Sequence, residues 1–80
     1  MAAPTGLVMD GATRRAVKDR LRLANAEAAK DIARWSGLTF AAVNLELNRS
    51  AGVRRVTEAT EAQLQARLQA ARRWQWRLGK

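Results

Sequence analysis

The chain has 80 residues and a net charge of +8, from fifteen Lys and Arg against seven Asp and Glu, and it contains neither Cys nor His. A chain of this length forms one small domain, without disulfides, thiolate metal sites or imidazole-based catalysis. Twelve of the fifteen cations are Arg, the side chain that suits forked phosphate contacts, so we expect a polyanionic partner: nucleic acid first, an anionic membrane surface second.

The sequence contains few helix-breaking residues. The single Pro is at position 4 and the glycines are at 6, 11, 37, 52 and 79. The sequence therefore predicts an all-α fold, a compact domain of three or four helices. We expect residues 1–11 to be a flexible lead-in, 12–78 to form a single helical domain and 79–80 to be a tail. The start of the chain has no basic region followed by an apolar one, so we expect a cytoplasmic protein without a secretory signal.

Residues 13–35 carry the pattern of an amphipathic basic helix, which Asp10 or Thr13 could cap. Apolar residues recur at helical spacing: Val17, Leu21, Ala24, Ala28, Ile32 and Trp35. Cations cover much of the remaining surface: Arg14, Arg15, Lys18, Arg20 and Arg22. The stretch could be one long helix or two, and we favour two with a break near Asn25, a good N-cap residue.

The stretch DIARWSGLTFAAVNLELN, residues 31–48, predicts two helices joined by a sharp turn. Gly37 stands where such a turn needs a left-handed residue, and Thr39 can cap a short helix over 40–48. Ile32 and Val43 would be buried where the helices cross, and Leu38 would tuck under the turn. This is the helix-turn-helix arrangement, in which the second helix enters the major groove of DNA.

The same region resembles the DNA-binding headpiece of the lactose-repressor type, over about residues 28–72. The matching residues are Asp31, Ile32, Ala33, Ser36, Gly37, Leu38, Thr39, Ala42, Val43, Leu47 and Asn48, followed by Val56, Thr57 and Thr60. The resemblance implies that Thr39 meets a phosphate, that Arg49, Arg54 and Arg55 lie near the DNA backbone, and that four side chains face base edges. These four are Phe40, Ala41, Asn44 and Leu45. The resemblance does not extend to an effector-binding domain, so it does not imply small-molecule sensing.

The last predicted helix starts at a cap on Thr57 and buries a stripe of Leu64, Leu68, Ala71 and Leu78, with Trp74 beside it. Four cations crowd its C-terminal end: Arg72, Arg73, Arg77 and Lys80. We expect Trp35 and Trp74 in the core. Trp76 lies off the stripe, as either a dimer contact or an exposed anchor, and a membrane-active tail is the least favoured reading of this end.

These patterns together predict a small, sequence-specific double-stranded-DNA-binding protein, a nucleoid-associated regulator or accessory factor that acts as a homodimer. Arg14 and Arg15 would add phosphate contacts. No constellation of nucleophile, base and phosphate loop is present, so we expect no enzyme activity, cofactor or metal.

Two alternatives stay open. In a second register, Gly52 forms the turn and residues 57–72 the reading helix. In the second alternative, the protein is a helical interaction module, for example an antiactivator, that docks through Trp74, Trp76 and Leu78. The pair Leu45 and Glu46 favours the docking module, because a helix that enters a DNA groove rarely exposes an acid.

Overall fold

Three helices make up the fold, in a computed structural model that describes residues 11–79. They are α1 (Gly11–Ser36), α2 (Phe40–Ala51) and α3 (Glu61–Arg77), with a short 3-10 turn over Val56–Glu58 before α3. No strand occurs within the described residues. The prediction of a small all-α domain is confirmed.

Helix α1 is one continuous helix of 26 residues, so the predicted break near Asn25 is wrong. Asn25 is buried in the middle of the helix, where its Nδ2 donates to the carbonyl oxygen of Leu21 at 2.8 Å and to that of Leu64 at 3.0 Å. Its amide therefore joins α1 to α3 and does not cap a helix. Gly11 and Thr13 lie within α1, so Thr13 is not its cap. Residues 1–10 of the predicted lead-in, with the cap at Asp10, and Lys80 of the tail lie outside the described residues, whereas Gly11, also predicted to be in the lead-in, is helical.

Helix α2 begins as predicted and ends later than predicted. The Thr39 hydroxyl accepts from the backbone N–H of Ala42 at 3.0 Å, which confirms the predicted cap. The helix passes the expected end at Asn48 and stops at Ala51. Gly52 ends it with a φ of 68°, in the left-handed region that glycine adopts without strain, and its N–H donates to the carbonyl of Arg49. The segment from 49 to 51, which lies beyond the predicted helix over 40–48, is therefore helical.

Helix α3 is capped by Thr60, so the predicted cap at Thr57 is wrong. The Thr60 hydroxyl accepts from the backbone N–H of Gln63 at 3.1 Å, while Gln63 Oε1 accepts from the N–H of Thr60 at 2.9 Å. This reciprocal pair is a capping box. Thr57 lies inside the preceding 3-10 turn, and Ala59, which is buried and extended, separates that turn from α3.

The core lies between the three helices and is made largely of small residues. One cluster joins all three helices: Ala28, Ala29, Ile32, Val43, Leu47, Ala70 and Ala71. A second cluster of Val53, Ala59 and Leu64 fills the end near the 3-10 turn. Helices α1 and α3 run in the same direction. Asn25 contacts Arg67 and, further along both helices, Asp31 contacts Gln75. The predicted burial of Ile32 and Val43 is confirmed.

Two apolar side chains predicted to be inside lie outside. Trp35 is 57% exposed and Leu38 is also exposed. At this end of α1, Ala29 and Ile32 make the contacts with the core cluster, and α1 ends one residue after Trp35. The turn then continues without folding Leu38 beneath it. Trp74 and Leu78 are half-buried and pack against the core cluster.

Candidate nucleic-acid interface

The turn between α1 and α2 is set by three neighbouring residues. Gly37 has a φ of 79°, and its N–H donates to the carbonyl of Ala33 at 3.1 Å, which closes α1. The backbone N–H of Leu38 donates to Ser36 Oγ at 3.2 Å, and the Thr39 cap then opens α2. These short-range bonds fix where α2 starts, as the glycine and threonine pattern predicts.

The outer face of α2 is exposed and mostly apolar. Ala41, Ala42 and Leu45 lie on it, and Leu45 is 62% exposed. Arg49 and Glu46 are also exposed, with the Arg49 Nη1 4.0 Å from Glu46 Oε1. An exposed ion pair three positions apart contributes little stability, so the arginine can exchange this partner for another anion.

Phe40 and Asn44, two of the predicted base-contacting residues, lie toward α1 and α3. They help to line a pocket of about 200 Å³ together with Arg22, Asn25, Ala26, Val56 and Arg67. Phe40 remains partly exposed at its rim. Asn44 Oδ1 accepts from Arg67 Nη2 at 2.7 Å, and its Nδ2 donates to the carbonyl of Phe40 at 3.2 Å. Both ends of the Asn44 amide thus already have a partner within the protein, a geometry that favours a structural role over the predicted role as a reader of base edges.

Arg67 is the residue that sequence analysis missed, and it is 1% exposed. Its Nε donates to Asn25 Oδ1 at 2.9 Å, its Nη1 to the Asn44 carbonyl at 3.3 Å, and Nη1 also to Asn48 Oδ1. One guanidinium therefore joins all three helices through neutral oxygen acceptors. Burial lowers the pKa of the Arg67 guanidinium from its usual value. The sequence does contain signals of this buried polar network. They are three asparagines within helices and an arginine on the apolar stripe of α3.

Two other segments carry cations near the pocket at the start of α2. Arg22 shares the pocket with Phe40 and Val56, and its Nη1 lies 3.1 Å from Asp19 Oδ1. Arg54 and Arg55 are exposed just before Val56, with Arg55 Nη1 3.9 Å from Glu58 Oε2. The residue that follows them, Val56, lines the same pocket as Phe40 in the first turn of α2. Arg14 and Arg15 are exposed in the first turns of α1.

The C-terminal turns of α3 divide their side chains between two faces. Trp74 and Leu78 pack against the core cluster, whereas Trp76 is 80% exposed. The three residues predicted to form one docking face therefore do not lie together.

Within residues 11–79, no three acidic side chains are grouped so that they could hold a metal ion. No helix in the same range has the length and apolar character needed to cross a bilayer. No protein-family model, curated protein or solved structure matches the chain.

Proposed function

We propose that the chain binds double-stranded DNA through the outer face of α2 and the arginines beside it. The observation that carries this proposal is the pocket that joins the exposed start of α2 to two other segments that carry cations. Arg22 shares a pocket with Phe40 and Val56, and Arg54 and Arg55 immediately precede Val56. A helix flanked by guanidinium groups suits entry into a groove with phosphates on either side.

Phosphate contacts supply most of the affinity in this proposal, and base readout supplies little. Asn44 is engaged by Arg67, so α2 presents Ala41 and Leu45 as its main groove-facing side chains. Apolar side chains of this kind recognise thymine methyl groups in the major groove. Since each wrong base pair costs only about 1–3 kcal/mol, we propose that two copies bind a two-fold site, which doubles the sequence that is read.

The test is retention of a labelled duplex of random sequence as salt is raised from about 50 to about 200 mM. With about six phosphate contacts, the log–log slope of affinity against salt is expected near −5. The double variant Arg54→Gln, Arg55→Gln should reduce the size of this slope by about 2. The matched control, Arg20→Gln with Lys30→Gln, removes the same charge from exposed positions that share no pocket with α2. Absence of binding at about 50 mM salt, or equal loss in both double variants, would overturn the proposal.

Protein docking is a second candidate function, favoured by the exposed apolar side chains around the turn. Leu38, Phe40 and Leu45 are all exposed large hydrophobic residues. A docking module would show no salt-sensitive retention of the duplex. Amide shifts recorded during the same titration would stay unchanged in α2 under docking, and would move in α2 first under DNA binding.

A further inference from the structure

Trp76 lies on the outer face of the last two turns of α3, within a cluster of arginines. It lines a surface depression of about 390 Å³ together with Arg72, Arg73 and Arg77, all exposed. Arg72 and Arg73 are four and three positions before Trp76, a spacing that places side chains next to one another on a helix. The core contacts at this end are made by Trp74 and Leu78, so the fold does not use the Trp76 indole.

The helix dipole explains part of this arrangement and leaves part unexplained. Cations are favoured in the last turn of any helix, which accounts for Arg77 without a partner. The dipole gives no reason for an indole to remain 80% exposed among guanidinium groups. A large aromatic surface together with positive charge is complementary to a partner that is both flat and anionic.

A nucleic-acid strand fits this face better than a lipid surface does. The neighbouring positions one and two turns before the cluster are Gln69 and Gln65, both exposed and polar. Helices that lie in a membrane interface need a broad apolar face, and a single indole does not provide one. One aromatic platform with adjacent cations is the arrangement that binds an unpaired base and its flanking phosphates.

We propose that Trp76, Arg72, Arg73 and Arg77 form a second binding site, for single-stranded nucleic acid. The indole stacks on one unpaired base, and the guanidinium groups contact the phosphates on either side of it. Because every base has a stacking face, binding at this site is independent of sequence. The site lies on α3 and shares no described residue with the proposed duplex interface on α2, so the two proposals stand or fall separately.

The experiment measures binding of a labelled oligothymidylate to the full chain by fluorescence anisotropy. Trp76→Ala is expected to weaken binding by about tenfold, whereas Trp76→Phe retains most of the affinity because it keeps a stacking ring. Arg72→Gln with Arg73→Gln is expected to reduce the size of the salt slope by about 1.4, at about 0.7 per phosphate on a single strand. Leu23→Ala, which removes another exposed apolar side chain on α1, is the control and should bind like the wild type.

Three results would overturn the site. In the first, the wild type does not bind oligothymidylate. In the second, Trp76→Ala binds it as well as the wild type does. In the third, the protein adsorbs to phosphatidylserine vesicles through Trp76 but does not bind oligothymidylate. Circular dichroism of Trp76→Ala should show unchanged helicity, since the indole makes no core contact. Trp76-dependent binding of oligothymidylate by a protein that does not retain the duplex would support this site and refute the function proposed for α2.

Discussion

The Nε of Arg67 donates to Oδ1 of Asn25 across 2.9 Å, and both residues are 1% exposed. The remaining acceptors around this guanidinium are the Asn44 carbonyl, Asn44 Oδ1 and Asn48 Oδ1, all neutral. A buried charge whose acceptors in the described part of the chain are all neutral oxygens depends on each of them, because a lost acceptor leaves a poorly solvated donor. The central polar contact of the fold is therefore sensitive to single amide substitutions.

Asn25→Ala is expected to lower the free energy of unfolding by about 2–4 kcal/mol. The change removes one acceptor from Arg67 and two donors from the carbonyls of Leu21 and Leu64. Urea denaturation followed by circular dichroism measures the loss. Gln69→Ala, at an exposed position of α3, is the control and should change stability by less than about 0.5 kcal/mol. Equal losses in the two variants would show that the network contributes nothing.

Asn44→Ala separates a structural role from a base-reading role. Because Asn44 Oδ1 accepts from Arg67, we expect a stability loss of about 1–3 kcal/mol and an unchanged preference among duplex sequences. Leu45→Ala should behave in the opposite way, with stability nearly unchanged and weaker discrimination of thymine. Competition between duplexes that differ at single base pairs measures the preference. A selective change in Asn44→Ala at one base pair would restore the base-reading role.

Gly37→Ala tests the turn before α2. A methyl group at this position meets no atom within 4 Å, so the cost comes from the backbone alone. At a φ of 79° we expect about 1–2 kcal/mol of destabilisation, measured by thermal or urea unfolding. Gly37→Asn should lose less, since Asn tolerates the left-handed region better than Ala. If Ala and Asn give equal, negligible losses, the turn does not require this conformation.

Thr60→Ala and Thr57→Ala distinguish the observed cap of α3 from the predicted one. Removal of the Thr60 hydroxyl breaks the bond with the Gln63 N–H, and we expect a loss of about 1 kcal/mol. Thr57 is exposed in the 3-10 turn, so its substitution should change stability by less than about 0.5 kcal/mol. A reversed order of the two losses in urea denaturation would place the cap at Thr57.

Local chemistry made α2 and its turn predictable. Gly37 and Thr39 act through their own backbone neighbours, so a short sequence pattern is enough to identify their roles. The same rule was available for α3, because Thr60 and Gln63 have the spacing of a capping box while Thr57 has no Glu or Gln three positions later. The spacing of Thr60 and Gln63 is therefore a local signal that identifies the start of α3.

The role of Asn25 could not be predicted from its neighbours. An asparagine inside a helical pattern can cap a new helix or satisfy a buried polar group, and the outcome here depends on Leu64 and Arg67 about forty positions away. Trp35 likewise has the helical spacing of the buried residues, yet it is 57% exposed one residue before α1 ends. In the candidate site, the positions of Gly37, Thr39 and the exposed arginines could be predicted from the sequence. The position of Asn44 could not, because its side chain is hydrogen-bonded to Arg67.

Alanine is prominent in the core cluster to which α1 and α3 contribute: Ala28 and Ala29 on one helix, Ala70 and Ala71 on the other. Methyl surfaces of equal size fit together in more than one register. They therefore only weakly determine the position of one helix along the other. A shift of α3 by a single turn would carry the guanidinium of Arg67 away from its amides and into this hydrocarbon lining, where nothing accepts its hydrogens. The buried cation therefore favours one register of α3 against α1, which the alanine methyl groups alone would not specify. Polar residues at buried positions have the same effect in coiled coils.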